Sequence, residues 1–178
     1  RVLFRSIYGQ YQDIVIGDEN TDFVFGTITS SEFFALTFER ARYKGSLFLG
    51  SLDLKISGST GQINLTDNSN YVSSVQFVEG GRVFQLISGS QGTKYTNAGT
   101  TSDGFSANSG SYGWLLPDMG IILLNPKALA APQISGGIAL LYSGSATASA
   151  APNTNPNTSI YQAISGSKSF TINSQETL

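Results

Sequence analysis

Tyr112–Leu129 reads YGWLLPDMGIILLNPKAL, a dense apolar block in a chain otherwise dominated by Ser, Gly, Thr and Asn. It holds the single Trp, Trp114, and the single Met, Met119. Pro117-Asp118 and Gly120 mark a tight turn. Ile121–Leu124 then runs without a polar break, and Asn125-Pro126 offers an N-cap followed by a proline in the first helical turn. The stretch predicts a turn, a buried strand and a short capped helix.

Outward from this block the pattern is one of strands. Ile14–Gly17, Phe23–Thr29, Phe33–Phe38 and Ser46–Ile56 all carry β-forming runs. In the last run Leu52, Leu54 and Ile56 alternate with Asp53 and Lys55, the signature of a half-buried strand with one wet face. Ser57–Gly61 turns that strand into a partner beginning at Gln62. A second hairpin joins Tyr71–Glu79 to Arg82–Gly89 through Gly80-Gly81, a two-residue loop able to take positive φ. Glu79 and Arg82 would flank it as an opposite-charge pair, and Val78 and Phe84 break strict alternation, as where both faces are covered. Gln91–Ser111 reads as a loop or a pair of short edge strands, and Ser135–Gly144 as another strand. Residues 145–158 read as a flexible loop, and a helical turn near Ile160–Ile164 precedes a strand at Lys168–Ile172.

No long helical pattern of period 3.6 stands out, which disfavours Rossmann and TIM architectures. The expected fold is a mainly β, antiparallel, strand-rich single domain spanning 1–178, with one or two short helices and long Ser/Gly/Asn-rich loops. Its 178 residues are enough for one sizeable core. The absence of Met at position 1 and the ending SQETL suggest an ordered piece of a longer chain, a processed product being the other reading.

Charged residues make up 12% and the net charge is -2, which gives no basic stripe for nucleic acid and no footprint for an anionic membrane. No apolar run approaches the roughly 18 residues of a membrane span, so a soluble protein is expected. With 0 Cys and 0 His, disulfide scaffolds, thiol catalysis, Cys/His zinc sites and the Ser-His-Asp triad all fall away.

The remaining candidates have ordinary alternatives. Asp18–Asp22 places oxygen ligands at alternate positions, but Phe23 and Thr29 stand where a calcium loop needs Gly and Glu, so an acidic surface turn is the reading. Ser165 and Lys168 have S-x-x-K spacing without the partner motifs of penicillin-recognising hydrolases. No pair of carboxylates is singled out for glycosidase chemistry. Arg40, Arg42 and Lys44 recur at period two. On a continuing strand they would form one cationic face, either a docking stripe for an acidic partner or a charge-protected edge. Trp114, Leu115 and Leu116 are candidate interface anchors or core. No cofactor, metal or catalytic residue is assigned.

The block, with Tyr112, Gly113, Pro117, Asp118, Gly120, Ile121, Ile122, Leu124, Asn125 and Leu129 as matching residues and Ser174-Gln175-Glu176 as a looser counterpart, resembles a segment of virion structural proteins of contractile-tailed phages. The resemblance is strongest to those of marine cyanobacteria, and it covers about a third of the chain. It implies a non-enzymatic particle component, of tail or baseplate, located in the virion and assembling with copies of itself or other virion proteins. The alternative is a receptor- or glycan-binding β domain of a tail fibre.

Overall fold

In the computed structural model, which describes residues 2–58, 60–140 and 170–171, the apolar block supplies two adjacent interior strands of the main sheet. The order of elements is α1 (Val2–Ile16), β1 (Phe23–Phe25), β2 (Ile28–Ser30), β3 (Phe34–Thr37), a 3-10 turn at Arg40–Arg42, β4 (Asp53–Ser57) and β5 (Gln62–Asp67). There follow β6 (Gln76–Val78), β7 (Gly81–Ser90), β8 (Thr93–Lys94), β9 (Gly113–Leu116), β10 (Ile121–Leu124), α2 (Pro126–Ala130), a second 3-10 turn at Gln133–Ser135 and β11 (Phe170–Thr171). The protein is mainly β, built on a curled antiparallel sheet. Along the sheet the order is β11-β4-β5-β7-β9-β10-β3, with β6 and β8 also paired to β7, while β1 and β2 form a separate hairpin.

Both faces of this sheet are covered, which explains why Ile121–Leu124 reads as an unbroken apolar run. Toward one face, Leu54, Ile56, Leu65, Phe84, Leu86, Leu115, Ile122 and Leu124 pack with Ala128 and Leu129 of α2 and with Ile138 and Leu140. Toward the other, Val83, Trp114, Leu116, Ile121 and Leu123 pack with Val15 of α1 and with Phe23 and Phe25 of the hairpin. Successive residues of β10 therefore enter different cores. A one-residue slip would exchange the two sets.

The block folds as turn, strand and capped helix, with one strand more than its sequence suggested. β9 pairs with β10 in register Leu116↔Ile121 to Gly113↔Leu124, around the four-residue loop Pro117–Gly120. Gly120 closes that loop at φ +66, where an added Cβ would collide with the Tyr43 hydroxyl. Asn125 caps α2, its side chain accepting from the Lys127 N–H at 3.1 Å. Its amide nitrogen donates to the Ser109 and Ser111 carbonyls at 2.7 and 2.9 Å, so this fully buried side chain is hydrogen-bonded at both ends.

The N-terminal region departs from its strand reading. Ile14–Gly17 is the end of a four-turn helix, closed by Gly17 at φ +82 with its N–H donating to the Gln12 and Asp13 carbonyls. The inward positions include Tyr8, Tyr11 and Val15, but the buried position between them is the polar Gln12, and apolar Ile14 faces outward at 54% exposure. That exchange hid the helical period. Gln12 donates to the Thr21 carbonyl at 2.8 Å, which makes its burial tolerable. Phe23–Thr29 is two short strands turning at Gly26-Thr27 rather than one.

Elsewhere the corrections are local. The loop of the second hairpin is Glu79-Gly80, because Val78 pairs with Gly81, and Gly81 takes the positive φ of 106° as the first residue of β7. In the run Ser46–Ile56 only Asp53 onward is strand. Asp53 is buried rather than on a wet face. Ile138–Leu140 is not a strand: all three backbone N–H groups bond instead to carbonyls of Leu129 and Ala131 at the end of α2. Residues 141–144, the expected flexible loop at 145–158, the turn at Ile160–Ile164 and the Ser165/Lys168 motif lie outside the described residues. Among the described residues no helix is long and apolar enough to cross a membrane.

Candidate functional site

The cationic stripe does not form. Arg40 and Arg42 lie in a 3-10 turn rather than a strand, so period-two spacing no longer aligns them. The Arg40 guanidinium sits over the Tyr43 ring at 4.6 Å and donates to the Gly45 carbonyl at 3.2 Å. Arg42 pairs with Glu39 at 3.3 Å where both side chains are largely exposed, a contact of little energetic weight, and Lys44 is exposed two residues on.

Leu115 and Leu116 are inside the domain, and Trp114 is 7% exposed, reaching the surface only at the groove described below. The Trp114 indole N–H donates to the Val24 carbonyl at 3.0 Å, and its ring meets Phe23 and Phe25 edge-on at 5.4 and 6.0 Å. Tyr8, Tyr11 and Phe33 extend the same aromatic cluster. Edge-to-face contacts of this kind add about 0.5–1.5 kcal/mol per pair beyond burial. They fasten α1 and the β1–β2 hairpin onto the sheet.

The motif residues share the work of the β9–β10 hairpin. The Tyr112 hydroxyl, fully buried, donates to the Gly136 carbonyl at 2.7 Å, and burial pushes its pKa up. Gly113 allows β10 to approach, because a Cβ there would strike the Leu123 carbonyl. The Pro117 carbonyl accepts from the Leu47 N–H at 3.0 Å. Asp118 accepts from both the backbone and the guanidinium of Arg82, which hold its carboxyl below the usual range despite partial burial. Arg82 thus pairs across to the next hairpin and not with Glu79.

Two surface features remain. Tyr71–Phe77 is exposed throughout, with Phe77 at 72% and Tyr71 at 50%, and leads into β6. Among the described residues β6 is hydrogen-bonded only to β7, which leaves its other edge open.

Beside it lies a groove of about 600 Å³, floored by Val83 and Gln85 of β7 and Trp114 of β9, and walled by Tyr71–Ser74, the β1–β2 turn and Phe105. None of its lining residues is charged. Gln85 and Asn68 are oriented by their oxygens. Gln85 Oε1 accepts from the Gly26 N–H at 3.2 Å and from the Ser111 hydroxyl, and Asn68 Oδ1 accepts from the Gln85 N–H at 3.0 Å, one residue past the end of β5. Sequence reading missed both, since a lone Asn and a lone Gln carry no spacing signal.

Among the described residues no group of three His, Cys, Asp or Glu side chains could hold a metal. The Asp18–Asp22 segment is a turn in which Asp18 accepts from Asn20 N–H and the Thr21 hydroxyl, and these bonds lower its pKa. Comparison of the chain with protein-family models, with curated proteins and with solved structures gives no match.

Proposed function

We propose that this chain is a non-enzymatic structural subunit of a phage particle, in the tail or baseplate, that acts through contacts with neighbouring subunits. The observation that carries the reading is the open edge of β6 together with exposed Tyr71, Val72, Val75 and Phe77. An edge strand offers unpaired N–H and C=O groups to an adjacent chain, and burying one aromatic side chain contributes about 1.5–3 kcal/mol. The phage-like block supports the virion setting. It supplies a rigid two-faced sheet from which such an edge projects.

The test is protein inventory of purified particles with copy counting. The chain should be present at a fixed copy number, and its absence from particles would reject the reading. Phe77→Asp should fold as the wild type does but fail to enter particles. Charge reversal at Arg40 and Arg42 probes the cationic segment separately: undisturbed assembly would remove it from the contact surface.

A further inference from the structure

We propose that the uncharged groove between the Tyr71–Ser74 segment and the β1–β2 turn binds a neutral saccharide, with the amide groups of Asn68 and Gln85 as its fixed donors. This goes beyond assembly and does not depend on it.

Donor orientation is the first support. A backbone N–H must face an acceptor, so the bonds from Gly26 and from Gln85 N–H place the oxygen of each carboxamide and leave its NH₂ at the other end. Among the described residues neither NH₂ has a protein partner, and neither is a buried unsatisfied atom, so both are open to solvent. Two amides held in place by their oxygens present donors with little ordering cost on binding. Hydroxyls of Ser73, Ser74 and Thr27 line the same groove as donors or acceptors.

Charge is the second. With no charged side chain in the lining, a nucleotide, a uronate or a phospholipid headgroup would be stripped of water with no counter-charge. A purely apolar chain fits no better, because it would cover both NH₂ groups and leave them unbonded, at about 1–3 kcal/mol each. A pyranose presents hydroxyl acceptors around its rim and C–H groups on its faces. Val72, Phe105 and Trp114 give those faces an apolar wall.

Topology is the third. The floor strand β7 offers an extended peptide no free edge, being paired with β5 and β6 on one side and with β9 on the other, and of β6 only Gln76 reaches the lining. The volume of about 600 Å³ falls within the roughly 300–1,000 Å³ of small-ligand clefts.

The experiment is a titration of the full ¹⁵N-labelled chain with neutral trisaccharides (maltotriose, cellotriose and chitotriose), and with trigalacturonate as the anionic counterpart, followed through the side-chain amide signals of Asn68 and Gln85. At least one neutral sugar should shift both signals saturably, and trigalacturonate should shift neither. Ser74→Trp, placed on the exposed wall to fill the groove, should weaken that binding by about tenfold or more with the melting temperature unchanged. Thr27→Trp on the opposite wall serves if the first variant does not fold. No shift with any neutral sugar at millimolar concentration, preference for trigalacturonate, or undiminished binding in the filled groove would overturn the assignment.

Discussion

Arg82 grips Asp118 twice, its backbone N–H and its guanidinium donating to one carboxylate at 3.0 and 2.6 Å, and this ties the turn after β9 to the start of β7. The pair is one-third exposed, so screening reduces its worth. Asp118→Asn keeps the bond from the backbone and loses the charge, and should cost about 1 kcal/mol in urea denaturation at neutral pH. Because the folded pKa is depressed, the contribution is fully present above the unfolded value near 3.9 and is lost as pH falls through the folded value. The wild type and the Asn variant should therefore converge in stability in acid. A constant gap down to the lowest accessible pH would refute the pairing.

Asn125 is used as acceptor and donor at once, and two substitutions separate these roles. Asn125→Ala removes the cap of α2 and the bonds to the Ser109 and Ser111 carbonyls, at about 2–3 kcal/mol. Asn125→Asp retains the cap but points a carboxylate at two carbonyl oxygens. It should be at least as damaging at neutral pH and should recover in acid, where a protonated carboxyl can donate. The relative melting temperatures of the two variants at pH 4 and pH 7 decide the point.

Opposite outcomes are expected for one substitution at two glycines. Gly9→Ala lies inside α1 with nothing within 4 Å of the new Cβ, and should stabilise by about 0.5–1 kcal/mol. Gly120→Ala meets the Tyr43 ring and requires φ +66, and should destabilise by about 2 kcal/mol or more. Thermal denaturation of both variants checks the signs. A stabilised Gly120→Ala would contradict the loop geometry.

Alkaline behaviour should trace two phenols, the half-buried Tyr8 and the fully buried Tyr112. Burial pushes Tyr8 up to about 12 and Tyr112 up as well, so both raise stability fully below the unfolded value near 10. As pH climbs above 10 the unfolded chain ionises first, and stability declines. Tyr8→Phe should flatten that decline between about pH 10 and 12, measured by urea midpoints across the range.

What was readable in the sequence followed from how uniform each segment's environment is. β10 and α2 were legible because Ile121–Leu124 is buried on both sides and Asn125-Pro126 is a strong helix start. β9 was not, since Gly113–Leu116 is only four residues long, buried throughout and therefore without the alternation that marks a strand. α1 was hidden by Gln12 on its buried side and Ile14 on its exposed side, a compromise set by the Gln12–Thr21 bond. The Arg40–Lys44 stripe failed because Arg42 N–H bonds back to the Glu39 carbonyl, curling the chain where a strand pattern continued. The groove could not be seen at all. Asn68 and Gln85 meet because they are the next opposed pair beyond Asp67↔Leu86, one residue past the end of β5, and that is a property of the sheet register rather than of either segment.

The Trp114–Val24 hydrogen bond spans 90 residues, and it sets an order of events during synthesis. Phe23, Phe25 and the apolar side of α1 leave the ribosome long before the strand that covers them. At about 5–20 residues per second the wait is roughly 5–18 s. During that interval the aromatic side chains of the early segment can pack only on one another and lack the sheet that covers them, so the nascent chain is most vulnerable to aggregation before β9 emerges.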